Sequence, residues 1–497
     1  MRHRLTYLRH SLDLLRHYID QRDISLQPIY VTNTFFLPPM IYRGREKQKY
    51  ELPQSSSHTS DKMDGSVVAI RVIRWKMIVV SFITWFMLIH YFERTNTRSV
   101  INSCHWGSWE TWEKDAQPHR VALVADPQIV DDHSYAGRPR LLDYLLKKVT
   151  DNYLYRNHKY VQSYLDPDTV IFLGDLFDGG REWENKMWYE EYLRFNRIFP
   201  KKINRRTINS IPGNHDIGFE SISPDVVNRF RTFFGEPNDY IVIGNHSIVM
   251  LDTISLSHPN PEIHTAPTAF LETINDKLNP QLPRILLLHV PLYRFTETQA
   301  CGPLREKSGP FPVQKGKQYQ TVIEYEISQR ILRTIHPEIA FAGDDHDYCD
   351  INQPYIYNGK NKITREIAVK SAAMSSGIKR PAIQLLSLNN PYDPRKTDST
   401  LTYQTEMCYM PDPYFPFKIY LGVFLVSLTL TSLMFLYPRK LEEYVRKCEL
   451  FLRQNSPVTR LPWNFHNIQR DPTGFWIHMG IQVTIPFFIL YLYYITI

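Results

Sequence analysis

The sequence predicts a layered α/β domain, in which helices cover buried β-sheets, joined to about three membrane-spanning helices. From about residue 120 onward, short apolar runs alternate with helical stretches, a pattern typical of βαβ units. Three long apolar stretches, one before residue 120 and two near the C-terminal end, each approach the roughly 20 residues that are needed to cross a bilayer. Together these observations indicate a membrane-anchored α/β protein.

The α/β prediction depends on where the apolar runs and the helical periods fall. The candidate strands are Val121–Ala125, Val170–Leu173, Ile208–Ile211, Ile241–Ile243, Ile248–Leu251, Ile285–Leu288, Ile339–Ala342, Ile367–Val369 and Ile383–Leu388. The candidate helices are residues 141–157, 182–198, 224–234 and 320–335. In the last of these, isoleucine recurs every four residues from Ile323 to Ile335, which places one apolar stripe along the helix.

The apolar stretches also predict a topology. The candidate transmembrane helices are residues 75–93, 417–437 and 475–497. A buried core helix is the alternative for each of them. Basic residues precede the first stretch and follow the second, so the positive-inside rule places residues 1–74 and the basic loop 438–474 in the cytoplasm. Residues 94–416 are then expected to form a domain on the lumenal side.

Composition narrows the class of partner. The chain has 497 residues and a net charge of +7, and no compact block of Lys and Arg interrupts it. We therefore expect no nucleic-acid partner. The N-terminal extension, residues 1–74, shows no sustained period and contains a polar linker at 53–66, so we expect it to be partly disordered.

Cysteine usage is consistent with a lumenal domain. Four of the five cysteines fall in the expected lumenal segment, namely Cys104, Cys301, Cys349 and Cys408. An oxidising compartment permits two disulfides among them in any of three pairings, with buried free thiols as the alternative. Cys448 falls in the expected cytoplasmic loop.

Residues that bind metals follow five of the apolar runs. The sequences at these strand ends are ADPQ, GDLFDGG, PGNHD, LH and GDDHD. The candidate metal ligands in these sequences are Asp126, Gln128, Asp175, Asn214, His289, Asp344 and His346. The carboxyl ends of strands in α/β sheets gather at one edge, where ligands bind. A turn explains any one motif, since Gly, Asp and Asn suit turns, but turn chemistry gives no reason for His289 or His346.

This ordered set of motifs resembles the calcineurin-like metallophosphoesterase superfamily over roughly residues 120–350. The resemblance implies a metallophosphoesterase-type layered β-sandwich, flanked by helices, that holds two divalent metal ions. The implied ligands of one metal are Asp126, Gln128, Asp175 and His346. The implied ligands of the other are Asp175, Asn214, His289 and Asp344, with the Asp175 carboxylate bridging. The resemblance makes His215 the catalytic residue that faces the substrate.

Two positions depart from the superfamily pattern. Gln128 stands where the pattern has a histidine, and Asp344 replaces the first histidine of the last motif. Because the remaining donors are mostly oxygen and include no thiolate, we expect hard divalent ions to be favoured, with Mn²⁺ preferred over Zn²⁺.

The predicted chemistry is the hydrolysis of a phosphoric ester, most simply a phosphodiester. Two bound metal ions would activate a water molecule and neutralise phosphoryl oxygens. We expect His215 to protonate the leaving alkoxide, with Asp216 orienting its other ring nitrogen and Asp178 in the same supporting layer.

A basic loop follows His289. The segment Tyr293–Gln318 carries Arg294, Arg305, Lys307, Lys315 and Lys317. We interpret it as a loop that gates the site and attracts an anionic substrate, with a solvated insertion as the alternative. His258 and His264 fall in a Pro-rich stretch that we interpret as a loop without a role.

A narrower resemblance suggests a substrate. The metal-binding motifs, the following SAAMSSGIKRPAIQLLSL and the flanking apolar stretches are similar to the fungal branch of the GPI-anchor-remodelling phosphoesterases. That resemblance implies removal of ethanolamine phosphate from a mannose of a GPI-linked glycolipid or GPI-anchored protein, in the endoplasmic reticulum membrane or cis-Golgi. Two alternatives stay open: a membrane-tethered phosphatase of nucleotides or phosphoproteins, and a non-catalytic metal-sensing or trafficking protein.

Overall fold

The computed structural model describes residues 73–390, 401–455 and 471–495. The disorder expected in the N-terminal extension concerns residues that lie outside these ranges. The same holds for residues 456–470 of the expected cytoplasmic loop.

Five strands form the first of two sheets that carry the site. They are β1 (His119–Val124), β2 (Thr169–Phe172), β3 (Arg206–Ile208), β12 (Ala382–Leu388) and β13 (Tyr403–Tyr409). The strand order is β13-β12-β1-β2-β3. The strands β1, β2 and β3 run parallel, whereas β12 and β13 are antiparallel to their neighbours.

Six strands form the second sheet. They are β4 (Asp239–Ile243), β5 (His246–Met250), β6 (Arg284–Leu287), β9 (Ile339–Ala342), β10 (Cys349–Tyr357) and β11 (Lys360–Ala368). The order is β10-β11-β9-β6-β5-β4, with four parallel strands in the middle and an antiparallel strand at each edge. The short pair β7 (Lys315–Gly316) and β8 (Tyr319–Gln320) lies in the connection after β6.

The two sheets share an apolar core. Leu123 and Ile171 of the first sheet belong to the same buried cluster as Leu287 and Phe341 of the second. The opposite faces of the central strands are covered by helices, so these strands are buried on both sides. A parallel strand that is buried on both faces reads as a continuous apolar run, which explains why the central strands were predictable.

The helices lie before, between and after the strands along the chain. They are α1 (Trp75–His90), α2 (Thr97–Asn102), α3 (Arg140–Tyr160), α4 (Asn185–Ile198), α5 (Asn214–Ile217), α6 (Pro224–Phe234), α7 (Thr253–Ser257), α8 (Pro261–Lys277), α9 (Tyr325–Ile335), α10 (Phe415–Leu436), α11 (Pro438–Asn455) and α12 (Pro472–Tyr494). The stripe expected on the last predicted helix is present in α9, where Ile331 and Ile335 are buried. That helix begins at Tyr325 and not at residue 320, which belongs to β8.

The Pro-rich stretch around His258 and His264 is not the loop that we expected. Asn260 caps α8 with its side chain, and Pro261 occupies the first helical turn. Proline is tolerated there because the N–H groups of the first turn have no partner within the helix. His264 is therefore a helical residue.

Within the residues that the structure describes, three helices are long and apolar enough to cross a membrane, judged by length and composition. They are Trp75–Asn102, Phe415–Leu436 and Pro472–Tyr494. The first is continuous from α1 through a π-helical stretch into α2, so it extends beyond the expected end at residue 93. Trp85, Tyr420 and Ile485 pack together, one from each of the three helices. The sidedness of the membrane topology stays a prediction.

The structure selects one of the three disulfide pairings. Cys104 is bonded to Cys408, and Cys301 is bonded to Cys349. The first bond joins the segment after α2 to β13, and the second joins the loop after β6 to the start of β10. In the described part of the chain, Cys448 is a free cysteine and is exposed.

Candidate metal centre

The candidate metal ligands come together where five parallel strands end. Asp126 and Asp175 follow β1 and β2 of the first sheet, whereas His289 and Asp344 follow β6 and β9 of the second. The Asp344 N–H donates to Asp126 Oδ1 at 3.1 Å, which joins the two sheets directly at this edge.

His289 lies at the middle of this cluster. Its Nε2 atom is 3.3 Å from Asp175 Oδ1, 3.6 Å from Asp344 Oδ1 and 3.3 Å from Asn214 Oδ1. Its Nδ1 atom is 3.6 Å from Asp126 Oδ1. The ligand atoms of Asp126, Asp175 and His289 all lie within 4.8 Å of one another, and the three side chains are buried. Side chains that are far apart in the sequence thus share one small volume.

The backbone around the cluster adopts a conformation that L-residues rarely adopt. The positive φ values are 46° at Asp126, 36° at Gln128, 48° at Asp175, 69° at Asp344 and 64° at His346. Such a conformation costs about 1–3 kcal/mol for a residue with a side chain and tends to cluster at functional sites. Its presence at five of the seven expected ligands supports a binding function for this edge.

Two glycines allow the loops to approach closely. A Cβ atom on Gly213 would lie 2.0 Å from Asp175 Oδ1, and one on Gly174 would lie 2.4 Å from His289 Nδ1. Both glycines are therefore required by the packing of the ligands themselves.

The two histidines are oriented by backbone carbonyls. His289 Nδ1 is 2.8 Å from the Leu173 carbonyl oxygen, and His346 Nδ1 is 3.2 Å from that of Ser376. A carbonyl only accepts hydrogen bonds, so each Nδ1 carries the proton and each Nε2 keeps its lone pair. Metal-binding histidines are typically held in this way.

The electrostatics of the cluster fit a cation. The pKa of Asp126 and that of Asp344 are both raised well above the ordinary value, chiefly by burial and then by the charge of Asp175. Asp126 Oδ2 is buried without a hydrogen-bond partner in the described part of the chain. A buried group of mutually repelling carboxylates with an unused oxygen is stabilised by a divalent ion.

The remaining two expected ligands, Gln128 and His346, lie beside the cluster. The Gln128 N–H donates to the Asp175 carbonyl at 2.9 Å, so its backbone lies beside the cluster. The pKa of His346 is lowered, chiefly by burial, although the charge of Asp175 acts in the opposite direction. Both residues lie at the predicted edge, and their roles as ligands stay predictions.

His215 lies next to the cluster. Its N–H donates to Asp175 Oδ1 at 2.9 Å, and its Nδ1 is 2.6 Å from the Asp178 carbonyl oxygen and 3.2 Å from Asp178 Oδ1. Burial lowers the pKa of His215, but the nearby Asp175 and Asp178 outweigh burial and raise it to about 9. The two carboxylates therefore favour the protonated form of the imidazole.

Asp216 does not orient His215, contrary to our expectation. Its carboxylate accepts the backbone N–H groups of Leu176, Phe177 and Gly213 at 2.8 to 3.1 Å. The pKa of Asp216 is raised to about 7, chiefly by burial and then by Asp175. Asp216 therefore fixes the two loops that carry ligands, and the orienting contact to His215 comes from Asp178.

The basic loop after His289 is fixed in place. Arg305 forms a buried ion pair with Asp345, and the N–H groups of Glu306 and Lys307 donate to Asp347 at 2.8 and 2.7 Å. The Cys301–Cys349 disulfide holds the same loop. These contacts favour a fixed wall beside the site over a gate, and they neutralise Arg305.

Sequence reasoning missed groups that act through the backbone. Asn214 Nδ2 donates to the Gln318 carbonyl at 3.0 Å, which leaves Asn214 Oδ1 free to face His289. Arg181 donates to the Asn214 carbonyl at 3.2 Å. It also lies near His215, and its positive charge lowers the pKa of that histidine, against the effect of Asp175 and Asp178. No sequence signal marks a carbonyl such as that of Gln318, although Arg181 follows the GDLFDGG motif directly.

The fold and the cluster define a class, and comparison with known proteins gives the same class. The calcineurin-like phosphoesterase model matches residues 119–348. The chain belongs to the calcineurin-like phosphoesterase family, whose members are metal-dependent phosphoric ester hydrolases. The predicted family, the fold class and the hydrolase activity are confirmed.

Particular relatives extend the likeness to most of the chain. Cell division control protein 1 of Saccharomyces cerevisiae is 47% identical over 445 residues, which are 85% of this chain and 89% of that protein. Metallophosphoesterase 1 of Rattus norvegicus is 30% identical over 213 residues, covering 38% of this chain and 52% of that protein. Metallophosphoesterase 1 of Cricetulus griseus is 25% identical over 368 residues, covering 69% and 84%.

Proposed function

We propose that this chain is a dinuclear-metal phosphodiesterase that removes ethanolamine phosphate from a mannose of the GPI-anchor glycan. Its catalytic domain would lie on the lumenal side of the endoplasmic reticulum or cis-Golgi membrane. The observation that carries the proposal is the buried cluster of Asp126, Asp175 and His289 beside His215, in a chain with three apolar helices. The motif resemblance supplies the substrate.

The proposed cofactor is a pair of divalent ions, with Mn²⁺ favoured. When bound, the ions would supply an activated water molecule and neutralise charge on the phosphoryl oxygens. Five of the seven expected ligands would offer oxygen from a carboxylate or a carboxamide, namely Asp126, Gln128, Asp175, Asn214 and Asp344. Hard oxygen donors favour Mn²⁺ over softer ions.

His215 is the proposed general acid. Asp178 engages its Nδ1, so Nε2 is the ring nitrogen that can face a substrate. The carboxylates of Asp175 and Asp178 favour the protonated imidazole, which can give its proton to the leaving alkoxide. Lys307 is partly exposed close to Asp344 and adds positive charge that would attract an anionic phosphodiester.

The position of the cluster relative to the apolar helices supports a lipid-linked substrate. Tyr414, which directly precedes α10, donates its hydroxyl to the Met374 carbonyl at 2.6 Å. Two residues further on, the Ser376 carbonyl holds His346. The candidate centre is thus connected through a few residues to the start of an apolar helix, where a glycan on a membrane lipid would be within reach.

Mass spectrometry of GPI glycans tests the proposal. Cells that lack their own copy of this activity would receive the wild-type chain, Asp175→Asn, or the exposed control Asp276→Asn. We expect the ethanolamine-phosphate count on mannose to fall with the wild type and the control but not with Asp175→Asn. A count that is the same for all three chains would remove this substrate.

A further inference from the structure

Four large apolar side chains are exposed together at the start of α3. Leu141 is 68% exposed, Leu142 54%, Tyr144 55% and Leu145 47%. Exposed apolar residues are ordinary when they are single, whereas a contiguous group marks a site of interaction. Nothing in the proposed reaction uses this group.

The middle of the same helix contacts the apolar helices. Asn152 Nδ2 donates to Glu93 Oε2 at 3.1 Å, and Arg156 forms an ion pair with the same carboxylate. Glu93 belongs to the first apolar helix. Its other oxygen accepts the hydroxyl of Tyr494, the last residue of α12, at 3.4 Å.

A further bond reaches the remaining apolar helix. Tyr153 donates its hydroxyl to the Pro411 carbonyl at 2.8 Å, shortly before α10 begins at Phe415. The middle of α3 therefore lies beside all three apolar helices, close to Glu93, to Tyr494 and to the residues just before Phe415. A helix in that position lies where the α/β domain meets the apolar helices.

The exposed residues continue the face of α3 that makes these contacts. The residues of this stripe are Leu141, Leu145, Asn152 and Arg156, at successive steps of four, seven and four. These steps keep residues on one side of an α-helix. Leu142 and Tyr153 are separated by eleven residues, which also places them on a common side. Asn152 and Arg156 contact an apolar helix. Leu141 and Leu145, on the same side of α3, are exposed.

The opposite side of α3 faces the protein. Lys147 forms an ion pair with Asp132 of the preceding loop, and Leu154 is buried in the core of the domain. The helix cannot turn its leucines into the domain without breaking these contacts. The exposed face therefore points away from the catalytic core.

We propose that the first two turns of α3 rest on the lipid bilayer, with Leu141, Leu142 and Leu145 inserted into the surface of the adjoining leaflet. Leu142 lies about 16 Å along the helix from Tyr153, at 1.5 Å per residue, so this turn lies well away from the contacts with the apolar helices. The partner is lipid because the surface continues a face that already meets membrane-crossing helices. An amphipathic helix binds a bilayer in this way, through its apolar side.

The bilayer contact would hold the mouth of the metal centre at the membrane. The loop before α3 includes Asp131, whose carboxylate accepts the Gly179 N–H at 2.8 Å, next to Asp178. The pKa of Tyr414 is raised, chiefly by burial and in part by Tyr135 of the same loop. This loop thus runs from the His215 side of the site to the start of α10. The inference depends on membrane insertion of the apolar helices and not on the identity of the phosphoester.

A fluorescent probe at Leu142 tests the contact directly. The full chain with Cys448→Ser and Leu142→Cys is labelled with an environment-sensitive dye and placed in phosphatidylcholine vesicles that contain nitroxide-labelled lipid. The matched control carries Ile363→Cys, an exposed apolar position near the start of β11, at the sheet edge opposite the metal centre. We expect emission from position 142 to shift to the blue and to be quenched by nitroxide lipid, with neither effect at 363.

Two outcomes would overturn the proposal. Equal, weak quenching at both positions would place α3 in water. A blue shift at position 142 without nitroxide quenching would assign the surface to a protein partner or a second copy of the chain.

Kinetics provide a second test. The triple variant Leu141→Gln, Leu142→Gln, Leu145→Gln should hydrolyse a lipid-linked phosphodiester in vesicles several-fold more slowly and a water-soluble phosphodiester at the wild-type rate. The control double variant Ile203→Gln, Ile363→Gln should match the wild type on both. Unchanged hydrolysis of the lipid-linked ester by the triple variant would contradict the inference. Failure of the wild type on every GPI substrate would count against the proposed function alone, because the probe measurement needs no substrate.

Discussion

The packing at Gly213 gives a sharp test of the candidate centre. Gly213→Ala adds a Cβ atom that would lie 2.0 Å from Asp175 Oδ1 and 2.3 Å from Asp175 N. Real Cβ contacts essentially never fall below 3.0 Å, so the two groups must separate by about 1 Å. Rotation of the Asp175 side chain cannot relieve the contact with its backbone nitrogen. The loop that carries Asp175 must therefore move.

The required movement sets the size of the effect. Overpacking of this kind costs about 1–3 kcal/mol. For a domain of this size, each kcal/mol of lost stability lowers the midpoint of thermal unfolding by about 2–4 °C, so the midpoint should fall by roughly 2–12 °C. A misplacement of about 1 Å in a catalytic group lowers the rate about 100-fold. Activity should therefore fall much further than stability.

The assay combines three measurements on purified full-length chains in detergent. They are the hydrolysis rate of a water-soluble phosphodiester, the bound metal per chain and the thermal midpoint. Gly107→Ala is the matched control, since its Cβ would have only an ordinary contact of 3.5 Å with His105. Hydrolysis by Gly213→Ala within a few-fold of the wild-type rate, with full metal content, would refute the close packing on which the site depends.

Four further predictions concern the site. His215→Ala should lower kcat while the metal content stays near that of the wild type; equal loss of both would make His215 a ligand. Asp178→Asn removes one of the two carboxylates that raise the pKa of His215, the other and larger contributor being Asp175; since the acid is lost as pH rises through that pKa, the basic limb of kcat against pH should move to lower pH, and a stationary limb would contradict the pairing. Asp344→His should increase reactivation of metal-stripped enzyme by Zn²⁺ relative to Mn²⁺, whereas an unchanged ratio would show that this ligand does not set the preference. Paired replacement of Cys301 and Cys349 by serine should reduce the free energy of unfolding by about 2–5 kcal/mol in denaturant titrations, and unaltered stability would show that the bond does not hold the loop.

The central strands and the order of the motifs were predictable from the sequence. Ile339–Ala342 was predicted and is observed as β9, because a strand buried on both faces is apolar throughout. The β10–β11 hairpin was not predicted in full, because its outer strand alternates in burial and contains Pro354. Its turn, Asn358-Gly359, has positive φ at both residues and is a recognised hairpin signal, so the sequence did contain the information.

The identity of the site residues was easier to predict from the sequence than the contacts among them. The strand-end motifs indicate which edge carries Asp175 and His289, since parallel strands end together. They do not indicate that Asp178, and not Asp216, contacts His215, because that choice depends on how two loops pack. The carbonyl of Gln318 is equally invisible, since every residue has one.

The most direct test of the account is to measure bound metal per chain together with phosphodiester hydrolysis, for the wild type and for Asp175→Asn. Bound metal is determined by elemental mass spectrometry. The account predicts two divalent ions per wild-type chain, with metal and activity both lost in Asp175→Asn. Full hydrolysis by a chain that holds no metal, or by Asp175→Asn, would contradict it.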